Sequence, residues 1–155
     1  MRSKTAKWFE CTCQYEKTME DGQKKKVKET NVIDALSFTE AEGRFIEEMS
    51  SYISGEFDVT AIKIALYKEV FFSDRKSDDR WYKAKVAFIT IDEKTEKKKR
   101  QNANYLVQAG SLDGAIENVN EAMHGTMIDY SSISVSETKV WDVFEYAEKK
   151  KEVKE

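Results

Sequence analysis

The sequence predicts an α+β fold made of two pseudo-repeats of a β-β-α-β(-β) unit, with antiparallel sheets and one helix per unit. Three observations carry this expectation. Trp8-Phe9-Glu10-Cys11 and Trp81-Tyr82-Lys83-Ala84 open matching blocks 73 residues apart. Apolar residues alternate along both blocks, the period of a half-buried strand. Downstream of each block the spacing changes to three and four, the period of an amphipathic helix.

The offset persists. Glu20 matches Glu93, Lys24-Lys25-Lys26 matches Lys97-Lys98-Lys99, Phe57 matches Tyr130, Ile62 matches Val135, and Val70-Phe71 matches Val143-Phe144. Between these regions one inserted residue moves the offset to 74, pairing Ala35 with Ala109, Ser37 with Ser111, Ala41 with Ala115, Glu47 with Glu121 and Met49 with Met123. The repeats so defined are 7–72 and 80–146 of one compact domain over 1–155, with a polar linker at 73–80 and a charged tail at 147–155 that reads as a frayed helix end.

In the first strand of each repeat, Phe9, Cys11, Cys13 and Tyr15 share one face, as do Tyr82, Ala84, Val86 and Phe88. Two cysteines on one face of one strand are too far apart for a disulfide, and these occupy the places of Ala84 and Val86, so they read as small core residues. Polar connections containing Asp21-Gly22 and Asp92-Glu93-Lys94-Thr95 lead into second strands at about 27–35 and 104–109, giving two hairpins. With no proline in the chain, turns rely on Gly, Asp, Asn and Ser.

Ser37-Phe38-Thr39-Glu40 is a capping box, and the helix it opens has the stripe Phe38, Ala41, Phe45, Met49 and Tyr52. Ser111 opens the second helix, with Asp113 in its first turn and the stripe Leu112, Ala115, Val119, Met123 and Met127. Gly55 and Gly125 stand where a left-handed residue would close each helix. Segments 57–72 and 130–146 are β-prone and long enough for one bent strand or two short ones. One helix covers only one face of such a sheet, so a core or sheet shared by the repeats is expected.

The 155 residues are 40% hydrophobic and 12% aromatic, too apolar for a disordered chain. Charged residues are abundant, but 26 basic against 29 acidic side chains leave a net charge of −3, so no whole-molecule field favours nucleic acid or a membrane. There is no apolar run of signal-peptide or membrane-span length, and a cytoplasmic protein without membrane association is expected.

The supply of catalytic groups is thin. The single histidine, His124, stands at a helix C-terminus, where a capping role suits it better than catalysis. Phosphate-loop, nucleophile-elbow, paired-histidine and dinucleotide fingerprints are lacking, so no cofactor, metal site or catalytic residue is assigned and an enzyme is the least favoured class.

The recurring polar feature is a pair of basic hairpins: Lys24, Lys25, Lys26 and Lys28 in the first, Lys97, Lys98, Lys99 and Arg100 in the second. Two readings stand, contact with nucleic-acid phosphates and charge protection of exposed strand edges. Trp8 and Trp81 lie on the strand face opposite the Cys11 stripe, either as a stacking platform or as interface core.

The block Ala35-Leu36-Ser37-Phe38-Thr39-Glu40-Ala41-Glu42 and the segment Val140-Trp141-Asp142-Val143-Phe144 resemble an uncharacterised family of small proteins carried in Bacteroidales genomes and in their phages and mobile elements. The resemblance spans Lys7 to Tyr146 and implies a bacterial or phage cytoplasm, with no catalytic residues to carry over. The expected function is a non-catalytic binding protein contacting nucleic acid through the two hairpins. The alternative is a module of host-interaction or anti-defence type that binds a host protein or sequesters a small nucleotide. Oligomeric state is left open.

Overall fold

A computed structural model describes residues 6–126 and 129–145. Met127, Tyr146 and the tail 147–155 fall outside the described residues. The described elements are mixed α and β: two helices and two four-stranded sheets. The chain divides into two compact units, Met1–Ala65 with Val140–Glu155 and Leu66–Lys139.

In the first unit, β1 (Lys7–Thr18) and β2 (Lys24–Ala35) form an antiparallel hairpin running unbroken from Lys7↔Ala35 to Thr18↔Lys24. Its turn needs a residue at positive φ, and Gly22 supplies it at φ 82°, its amide donating to the Met19 carbonyl at 2.9 Å. Helix α1 (Phe38–Tyr52) follows, and β3 (Phe57–Ala65) returns antiparallel to β1 with a bulge at Thr12/Cys13. Ser37 caps α1, accepting from the Glu40 amide at 3.1 Å as the capping box requires. The middle of the predicted stripe, Ala41, Phe45 and Met49, is buried on the sheet, while Phe38 and Tyr52 at its ends are exposed. Gly55 follows the helix at φ 108°. The core gathers Phe9, Cys11, Cys13, Ile33, Ala41, Phe45 and Met49.

In the second unit, β5 (Arg80–Ile91) and β6 (Lys98–Ala109) pair from Arg80↔Ala109 to Ile91↔Lys98, and β7 (Tyr130–Glu137) runs antiparallel to β5. Asp92 organises the tip: its amide donates to the Lys97 carbonyl at 3.0 Å and its carboxylate accepts from the Lys94 amide at 2.9 Å. Helix α2 (Leu112–Thr126) is opened by Ser111, which accepts from the Gly114 amide at 3.1 Å, and it buries Ala115, Val119 and Met123. Gly125 lies inside α2 rather than beyond its end, since the helix continues to Thr126. Asp78, in the polar segment that follows β4 (Glu69–Phe71), is buried and accepts from the Ser73 hydroxyl, so that segment is tied down.

The sheets are mixed, which corrects the antiparallel expectation. Their orders are β3-β1-β2-β8 and β4-β6-β5-β7, with β8 (Val140–Phe144) parallel to β2 and β4 parallel to β6. The physical reason lies in how the chain arrives. Each long β-prone segment breaks into two short strands: the first takes the free edge of the hairpin in its own unit. The second crosses, at Ala65–Leu66 or Lys139–Val140, and meets the other unit's hairpin running alongside its second strand. Alternation fixes which side chains share a face but says nothing of a strand's partner or direction.

Both cysteines are free and fully buried in the first core. Burial, reinforced by the nearby Glu10 charge, pushes the Cys11 thiol up to about 12; burial also raises Cys13. A folded-state value above the unfolded one means the unfolded chain ionises first. Stability from Cys11 is therefore intact below the unfolded thiol value near pH 8.5–9 and is lost as pH rises from there toward about 12. The double substitution Cys11→Ala/Cys13→Val installs residues that Ala84 and Val86 show to be compatible with a buried strand face, and should cost about 1 kcal/mol or less. Both thiols should react with a thiol reagent only after denaturant is added; rapid labelling of the native chain would place that face outside the core.

Candidate functional site

The register of β5 and β6 sorts the second basic hairpin by face. On one side Tyr82, Ala84, Val86, Tyr105 and Val107 meet α2. On the other, Lys83, Lys85, Ile89 and Ile91 of β5 lie beside Lys98, Arg100, Asn102 and Asn104 of β6, with the buried Trp81, Ala87 and Leu106 on the same face and Ser134 and Ser136 of β7 at the margin. Lys83, Lys85, Lys98 and Arg100 are all exposed, and no position on this face of β5, β6 or β7 is a carboxylate. The consecutive run is therefore split: Lys99 points to the α2 side opposite Thr90, and Lys97 belongs to the turn. Lys83 and Lys85 belong to the same cationic face; their alternation with Ala84 and Val86 puts them beside Trp81 in the sequence, but only the register joins them to the distant run as one set of cations.

The first hairpin is different. Lys24, Lys26 and Lys28 share the face away from α1, but Glu16 stands directly opposite Lys26, Glu10 opposite Lys63 of β3, and Asp58 opposite Gln14. Lys25 is on the other face, directly across from Lys17. An open groove of about 590 Å³ beside this hairpin is lined by Tyr15, Lys24, Lys26 and Phe57 together with Glu16, Glu56 and Asp58, so its carboxylates outnumber its lysines. Tyr15 donates to Glu29 at 2.7 Å, and that hydrogen bond, followed by burial, holds its phenol up at about 12.

Trp81 corrects the platform reading at its own position. It is 3% exposed, packed edge-on against Phe72 at 5.5 Å between ring centres, and presents no open ring for stacking. Trp8 is half-buried. His124 is in the last turn of α2, its ring 6.5 Å from that of Tyr130. Among the described residues no group of three or more His, Cys, Asp or Glu side chains is placed to hold a metal ion, and no helix is long and apolar enough to cross a membrane.

Comparison with known families matches residues 7–146, a span that contains both hairpins and both helices. The chain belongs to the family described as a domain of unknown function, DUF4494. A search of curated proteins finds no match. Membership fixes the family and leaves the functional argument to the residues. In this DUF4494 domain the second hairpin offers exposed cations, amides and hydroxyls on one surface, a set that can donate hydrogen bonds and charge to a polyanion.

Proposed function

We propose that this DUF4494 protein is a non-catalytic binding protein, built as two repeats, that contacts nucleic acid through its basic hairpins, with the β5–β6 hairpin as the principal contact. The setting that goes with this reading is a bacterial or mobile-element cytoplasm. The observation that carries it is the strand face holding Lys83, Lys85, Lys98 and Arg100, on which the residues that β5, β6 and β7 contribute include no carboxylate. A chain whose net charge is −3 has no global attraction for phosphates, so a segregated cationic surface is the form such binding takes. The two-repeat reading is supported by the parallel strand orders of the sheets and by the ties from helix to strand: Arg44 and Asn118 donate to the carbonyls of Asp34 and Gln108, 74 residues apart in both pairs.

The test is a titration of labelled oligonucleotide at several salt concentrations. Each phosphate contact contributes roughly 0.7–0.9 to the slope of log affinity against log salt. The variant Lys83→Gln/Lys85→Gln/Lys98→Gln/Arg100→Gln should therefore flatten the slope by about three and weaken binding at least about tenfold at low salt. Lys24→Gln/Lys26→Gln/Lys28→Gln should have the smaller effect, because Glu16 and Asp58 already offset those charges. No salt-sensitive binding by the unaltered protein would overturn the proposal.

A further inference from the structure

Beyond Phe88 the second hairpin leaves its sheet. The pairing with β7 ends at Phe88↔Tyr130 and that with β4 at Glu69↔Tyr105, while β5 and β6 stay paired to Ile91↔Lys98. The segment from Ile89 to Arg100 is thus a two-stranded arm, and every residue of it is exposed. On its cationic face Ile89 is directly opposite Arg100 and Ile91 directly opposite Lys98. Their exposures are 48% and 65%, high for aliphatic side chains at the tip of a charged arm. The first hairpin, also free of β3 beyond Tyr15, carries Glu16 and Thr18 at the corresponding places.

Resting on the proposed nucleic-acid reading, we infer that this arm enters the major groove of double-stranded DNA, with Ile89 and Ile91 against thymine methyl groups and Lys98 and Arg100 on the phosphates or base edges beside them. The major groove of B-form DNA admits a two-stranded β-ribbon, and the thymine methyl is the apolar group exposed there. A single-stranded partner is disfavoured by the residue types: stacking on bases takes exposed aromatic rings, the arm has none, and Trp81 is buried. Duplex RNA is disfavoured by its deep, narrow major groove. A lipid surface would receive two aliphatic side chains and no more, and the arm's five cations, Lys94, Lys97, Lys98, Lys99 and Arg100, outnumber its three carboxylates, Asp92, Glu93 and Glu96, an excess of positive charge that favours the phosphate-lined groove.

The test measures anisotropy of the full chain with a labelled A/T-rich DNA duplex, the same duplex with deoxyuridine in place of thymidine, the single strand, and an RNA duplex. Vesicles of anionic and zwitterionic lipid form a further arm. The thymidine duplex should bind tightest, and loss of the methyl groups should weaken it severalfold. Ile89→Ser/Ile91→Ser exchanges exposed residues, should leave circular dichroism unchanged, and should lower duplex affinity about tenfold with the salt slope preserved. In that variant the thymidine and deoxyuridine duplexes should bind alike. Lys98→Gln/Arg100→Gln should instead flatten the salt slope by about two. Equal binding of both duplexes by the unaltered protein, a preference for single strands or RNA, or vesicle binding in place of DNA would overturn the inference. Salt-sensitive DNA binding that ignores the isoleucines sinks the arm alone. Absence of salt-sensitive binding to any nucleic acid sinks the broader proposal with it.

Discussion

Arg44→Ala should cost about 3–5 kcal/mol of folding stability, far more than an ion pair at a surface would. Arg44 lies on α1, where its Nη1 donates both to the Asp34 backbone carbonyl and to the Asp34 carboxylate, the latter at 2.7 Å. Asp34 is 4% exposed, at the end of β2 just before the helix begins. Truncating the arginine takes the guanidinium away from a buried carboxylate, and the desolvation of that charge loses this compensation. Removing both partners avoids this, so Asp34→Leu/Arg44→Met should lie within about 1 kcal/mol of the parent. Urea denaturation of the two single variants and the double gives the coupling directly. If Arg44→Ala costs less than about 1 kcal/mol, the pair behaves as an exposed one and the tie is ornamental.

Much of this fold was legible wherever local physics decides. The stripe Phe9, Cys11, Cys13 and Tyr15 was readable because a strand's side chains alternate strictly. Ser37 was readable because a helix's first amides need an acceptor, and Gly22 because the turn needs positive φ. What could not be read were the partners of Val70-Phe71 and Val143-Phe144. Those short strands look the same whether they pair with the preceding hairpin or with the other one. Their parallel alignment with β6 and β2 is decided by where the chain crosses between units. The end of α2 was misplaced for a related reason: Gly125 is permissive in a loop but is tolerated in a helix, where it costs only about 1 kcal/mol against alanine.

The candidate interface was half legible. Runs of lysine are conspicuous in a sequence, but a strand deals successive side chains to opposite faces, so a run of four is at most half a surface. Register supplied the rest by adding Lys83 and Lys85 to Lys98 and Arg100, and by setting Glu16 opposite Lys26 in the other hairpin. Similar sequences thereby give two hairpins of different charge. The buried Trp81 packs edge-on against Phe72, a residue from the segment whose pairing the sequence left undetermined.

Phe45→Ala should be among the most damaging single substitutions in the chain, with a loss of about 3–5 kcal/mol. Phe45 is at the centre of α1, fully buried, one turn from Ala41 and one turn from Met49, and it shares a core with Phe9, Cys11 and Ile33 of the sheet beneath. Alanine there removes the aromatic ring and leaves a cavity bounded by strands whose backbone is held in register on both sides, so little collapse is available to fill it. Phe45→Leu keeps most of the volume and should cost about 1.5 kcal/mol or less. Val119 of α2 is likewise fully buried, in the core of the second unit, and Val119→Ala deletes two methyl groups, so its cost should fall between the two. Ranking the three by urea midpoint, with the denaturant slope checked for constancy, tests the placement of both helices at once. A Phe45→Ala variant as stable as Phe45→Leu would mean that α1 does not seat this ring on the sheet, and the capped, amphipathic helix would have to bury its stripe elsewhere.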